Sequence, residues 1–242
     1  MKSSNPVLGD GVLDKDFIIT SEGTMSVNGA VNKTFIFVMI LMAAATFGYN
    51  LALSNALPLP LLFGGAFLAI GLAFGAYFKP QYAMYFGGAY CLVEGVVVGA
   101  VSAFYGVLYP GIIVQALVLT AAVLAAMLFL YKAKIIKVTE KFRSIIIMAT
   151  AGIMIFYLVA LCLGMFGIQI PLLHSNGPLG IGFSLVVTVL AALNLLLDFD
   201  FIEKGAERGL PKHMEWYGAF GLIVTLVWLY LEILRLLSKL KD

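Results

Sequence analysis

Long apolar runs alternate with short polar breaks along this 242-residue chain. The runs cover residues 34–54, 59–78, 81–106, 110–131, 144–167, 179–201 and 216–238. Each is close to or above the roughly 20 residues a helix needs to cross a hydrocarbon layer about 30 Å thick. Membrane strands would show strict alternation over about half that length, so a β-barrel is excluded. Pro58, Pro60, Pro80, Pro110, Pro171, Pro178 and Pro211 fall in or beside the breaks, as helix-boundary prolines do. The pattern predicts an all-α polytopic membrane protein, a bundle of seven transmembrane helices. Residues 1–33 differ: they are polar, hold Asp10, Asp14, Asp16 and Glu22, and lack the apolar core of a signal peptide. They read as a soluble, mobile arm ahead of a single membrane domain, 34–242.

Composition removes the soluble alternative. The chain is 62% hydrophobic and 12% charged, against about 25% charged in an average soluble domain. A net charge of +2 is too small to suggest nucleic acid. With seven spans, Lys79, the 132–143 cluster and Lys204, Arg208 and Lys212 share the side of the N-terminus. Only Arg235, Lys239 and Lys241 lie on the other. The positive-inside rule then places the N-terminus in the cytoplasm and the C-terminus outside. Cys91 and Cys162 fall inside spans and read as packing residues, not as a disulfide or redox pair. The GxxxG pairs Gly71/Gly75 and Gly95/Gly99 suit close helix approach within one bundle, with a dimer face as the lesser reading.

The chemistry sits in the few polar residues within the spans. A charged side chain at mid-bilayer costs roughly 2.5–3.5 kcal/mol on insertion scales, so a retained acid is neutral, paired or lining water. Glu232 lies in the last span and Glu94 in the third. Near the end of the sixth come Asn194 and Asp198, four apart and on one face, with Asp200 turned away. Asp200 also reads simply as an acid meeting headgroup water. Arg235 follows Glu232 at i,i+3 and is the local candidate to neutralise it. Enzyme signatures are missing: neither His174 nor His213 lies in a span, no HExxH or phosphate-binding loop is present, and Ser184 lacks a nearby base. No enzyme and no cofactor are expected.

Leu197-Asp198-Phe-Asp-Phe-Ile202 in span six, Leu229-Tyr-Leu-Glu232-Ile-Leu in span seven and Tyr90-Cys-Leu-Val-Glu94-Gly95 in span three resemble the Bax inhibitor-1 family. The whole chain after residue 33 fits. Met1-Lys-Ser-Ser-Asn-Pro-Val-Leu8 and Phe199-Asp200-Phe201 resemble its bacterial YccA-like branch, which implies a bacterial inner membrane. The resemblance implies a last helix wrapped by the other six and a pH-sensitive calcium leak gated by a carboxyl pair, here Asp198 and Glu232. It also implies a cation from the end of span two, Lys79. The second acid is Glu where the family usually has Asp. If span seven began at Met214, Glu232 would lie about 27 Å along it, far from Asp198. Pairing therefore requires that helix seven start later or protrude.

On this reading, two carboxyls sharing a site titrate together, and protons gate a cation path. Calcium, as the permeant ion, would be held transiently by oxygens of Asp198, Glu232 and Glu94, with Asn194 and Asp200 along the path. The expected partners are lipid, calcium and protons. The rival reading is a non-transporting membrane protein that modulates membrane proteases or stress and cell-death responses by binding a membrane-protein partner.

Overall fold

The computed structural model describes residues 23–54, 56–165, 175 and 177–241. Seven helices follow one another: α1 Val27–Leu53, α2 Leu59–Phe78, α3 Ala83–Leu108, α4 Ile112–Lys132, α5 Glu140–Met165, α6 Pro178–Glu207 and α7 Met214–Lys241. All seven are long and apolar enough to cross a membrane, and the protein is a multi-pass integral membrane protein. Among the described residues the extended contacts amount to one isolated bridge, Thr24 to Pro211.

Local chemistry sets the helix ends. Proline occupies the first turn of α2 (Pro60) and α6 (Pro178), where its missing N–H costs nothing. Gly111 precedes α4 at φ +81°, a left-handed turn after Pro110 that glycine accepts without strain. The first helix begins seven residues earlier than the hydropathy predicts. Ser26 caps it by accepting from the Gly29 N–H at 3.0 Å, so Lys33 belongs to α1 and not to a polar arm. Its ammonium is tolerated there because it pairs with Glu215 of α7, which is nearly fully buried. Glu215 also accepts from the Ser26 N–H at 2.9 Å and from its hydroxyl at 3.0 Å. Met25 N–H donates to Leu210 O, and Lys212 N–H donates to Gly23 O. The start of α1 is thus sewn to the α6–α7 turn. Residues 1–22 of the expected arm, and His174, lie outside the described residues.

Helix α7 is central. It packs directly on α1, α3, α4 and α6, and among the described residues it carries more buried positions than any other helix. The expectation that six helices wrap it needs correction at two of them. The second helix packs on α3, at the rim, and α5 packs on α6, reaching α7 only through side chains. The end at which α1, α3, α5 and α7 begin carries the basic loops and is termed the basic end; the other is the far end.

Glycine decides how closely α1 and α3 approach. A Cβ on Gly99 would collide with the Ala45 carbonyl, and one on Gly48 with the backbone of Val96. The Gly95/Gly99 pair is therefore an intramolecular seam. The other pair splits: Gly75 faces Phe86 of α3, while a Cβ on Gly71 would meet open space. Gly99→Ala is expected to lower stability by about 1–3 kcal/mol, because backbone, not a flexible side chain, is in the way. Gly71→Ala is expected to change it by less than about 0.5 kcal/mol. Thermal unfolding in detergent checks both, and equal shifts would contradict the assigned seam.

Candidate functional site

One set of polar residues in the membrane interior lines a seam where α6 meets α7 with α5 alongside. On α6, Gly180, Ser184, Val187, Ala191, Asn194 and Asp198 recur at alternating intervals of three and four and so form one stripe. On α7, Gly221, Thr225, Trp228 and Glu232 form another by the same rule. The two stripes meet at both ends. A Cβ on Gly221 would lie 3.5 Å from Asp198 Oδ1, and Lys239 donates to the Gly180 carbonyl at 3.1 Å.

Asp198 faces Gly221 and Thr225 near the basic end. Its Oδ2 is shut off from solvent and has no hydrogen-bond partner. Ser184 Oγ, near the far end, is the other such atom among the described residues. Both lie on the α6 stripe, about 21 Å apart along its axis. Between them, Asn194 donates to Thr150 Oγ1 of α5 at 2.8 Å and to the Leu190 carbonyl at 2.9 Å.

Glu232 is 2% exposed, and every contact it makes is to a donor. The Arg235 Nη1 reaches its two oxygens at 2.9 and 3.1 Å. The Tyr157 hydroxyl donates to Oε1 at 2.8 Å and in turn accepts from Arg235 at 2.8 Å. Trp228 Nε1 completes the set at 3.3 Å. The i,i+3 partner visible in the sequence is therefore the real one, and the charge of this acid is cancelled in place. Tyr157 comes from α5, and no local spacing announces it.

The expected carboxyl pair is not assembled. Helix α7 begins at Met214, so Glu232 lies two turns, about 10 Å, beyond Thr225. Asp198 and Glu232 share a seam at different depths. Glu94 is also separate: it is half-buried on the face of α3 that carries Tyr90 and Ser102, which touch Phe220 and Tyr230 of α7. Helix α3 does not pack on α6, and no described group of three or more His, Cys, Asp or Glu residues is placed to hold a metal ion. The three-acid calcium set is accordingly dispersed.

Two further assignments change. Asp200 is buried but turned from the seam; it accepts from Arg143 of α5 at 2.6 Å and from Lys204 at 2.8 Å, a latch at the basic end. Lys79, after the end of α2, is exposed and makes no ion pair among the described residues, and α2 does not pack on α6. It is in no position to partner Asp198. The sequence reading missed Ser184, Thr225 and Trp228 as members of the site, although their spacing is legible, and missed Thr150 and Tyr157, whose spacing is not.

The opposite environments of the two acids predict opposite responses to neutral isosteres. Glu232→Gln is expected to cost about 1–2 kcal/mol, because it strands a part-buried guanidinium. Asp198→Asn is expected to leave stability unchanged or raise it, because it removes an uncompensated charge. Thermal unfolding in detergent decides, and a larger loss for Asp198→Asn would contradict this account of the seam.

A search of curated proteins returned no match. A family profile described as Bax inhibitor 1 like matches residues 5–242, which takes in all seven helices and both acids of the seam. By that match over nearly its whole length, the chain belongs to the Bax inhibitor 1-like family.

Proposed function

We propose that the α5–α6–α7 seam is the path of a pH-sensitive cation leak, with calcium as the permeant ion. One observation carries this reading: Asp198 points an unpartnered, solvent-shielded oxygen into a helix–helix seam. A carboxyl kept in that state within a membrane is costly to a purely structural protein. Ionised, it attracts a cation and offers the hard oxygen ligand that calcium prefers. Protonated, it does neither, so the seam responds to pH through this group.

The other residues take subordinate roles. Asn194 and Ser184 extend the polar lining along α6. Glu232, Arg235 and Tyr157 act as a plug at the far end, their charges cancelled and their geometry fixed by mutual hydrogen bonds. The Asp200–Arg143–Lys204 latch closes the basic end. This arrangement replaces a shared carboxyl pair by one free acid and one neutralised acid. Opening requires that α6 and α7 separate enough for an ion to pass Trp228. The basic end is assigned to the cytoplasm on its Lys and Arg content, in a bacterial inner membrane.

A second reading has an observation of its own. Because Arg235 cancels Glu232, that acid fits a structural role, as it would in a non-transporting protein that acts on membrane partners. Calcium flux into proteoliposomes at about pH 6 and about pH 8 separates the two readings. Wild type is expected to leak at a rate that differs between the two pH values, and Asp198→Asn is expected to lose that difference. Glu232→Gln is expected to leak faster at both, because the plug is loosened. Wild-type flux and pH dependence in Asp198→Asn would remove Asp198 from the gate. No leak at either pH would favour the interaction reading.

A further inference from the structure

The opposite side of α7 borders a cavity that the seam does not use. Helices α1 and α4 stand apart without packing on one another, and α3 and α7 form the floor between them. The space encloses about 480 Å³ and its lining is almost wholly apolar. Ala45 and Ala121 belong to the opposing walls. In the floor, the Ser102 and Tyr230 hydroxyls satisfy one another at 2.8 Å, so they present little unmet polarity.

Its dimensions point to one occupant. Along α1 the groove runs from Val38 to Tyr49, and along α4 from Ile113 to Leu124. Each spans about 16 Å of helix, close to the roughly 15 Å of one leaflet's hydrocarbon. Ile113 is the second residue of α4 and Tyr49 lies in the last turns of α1, so the groove starts at the far end and stops near mid-membrane. Water is disfavoured in so apolar a space, and a void of this size left empty would forfeit the contacts of its whole lining.

We infer that this groove is a binding site for one acyl chain of a phospholipid from the far-end leaflet. The chain lies between the α1 and α4 walls and acts as a wedge that replaces the missing α1–α4 contact. Since α7 supplies part of the floor, the lipid braces the helix whose other face carries Thr225 and Glu232. The site is independent of the seam, and its failure would leave the role of Asp198 untouched.

Native mass spectrometry of the protein in detergent, with added two-chain phosphatidylglycerol or a free fatty acid of the same chain length, tests this. Ala121→Phe fills the groove from an exposed wall position. Ala122→Phe adds the same bulk to an exposed neighbour outside it. Wild type and Ala122→Phe are expected to retain one phospholipid per chain, and Ala121→Phe at least about fivefold less. Phospholipid is also expected to raise the unfolding temperature of the first two proteins and not of the third. Should Ala121→Phe fail to fold, Leu117→Trp blocks the same wall. Equal retention in filled and control variants, or preference for the free fatty acid, would overturn the inference.

Discussion

Both carboxylates that α7 buries in the bundle interior are paired with a cation, and the packing follows from how this is done. In a medium with little water, a lone carboxylate is among the costliest groups a helix can hold. Near the basic end Glu215 meets Lys33 of α1, together with two donors from Ser26. Toward the far end Glu232 meets Arg235 of its own helix and Tyr157 of α5. These contacts fix α7 axially between neighbours at both ends. The glycine contact of α1 with α3 then brings the remaining wall close, through Gly48, Gly95 and Gly99.

Asp198 differs from the other buried acids of α6 and α7. Its neighbour Asp200, half a turn of chain away, has two cations. Asp198 faces a glycine and a threonine, and one of its oxygens bonds to nothing. On α6 and α7 the other buried acids, Asp200, Glu215 and Glu232, are all paired with cations, so Asp198 stands out by contrast, and with Asp200 the contrast is drawn within a single helix. The unpartnered Ser184 hydroxyl on the same stripe extends the feature along α6. An ion moving along such a line would meet fixed oxygens at intervals set by helix geometry.

The two faces of α7 have different chemistry. One carries Thr225, Trp228 and Glu232 against α5 and α6; the other lies under an apolar groove between α1 and α4. The helix is thus flanked by a polar seam on one side and an apolar groove on the other.

Much of this was legible in order along the chain. Hydropathy located all seven helices because lipid demands long unbroken apolar runs and internally satisfied backbones. The interior acids Glu94, Asp198 and Glu232 stood out for the same reason, and the Glu232–Arg235 pair was readable because i,i+3 neighbours meet on any helix. Residues Lys33 and Glu215 fell outside that reach. Their pairing depends on where α1 and α7 start relative to each other, across a separation of 182 positions in the sequence. Depth was likewise a tertiary matter. The separation of Asp198 from Glu232, the reach of Tyr157 and the capture of Asp200 by Arg143 all follow from the offset between helices. Sequence pattern determines which face of a helix a residue occupies, whereas the axial sliding of one helix past another is decided by packing alone.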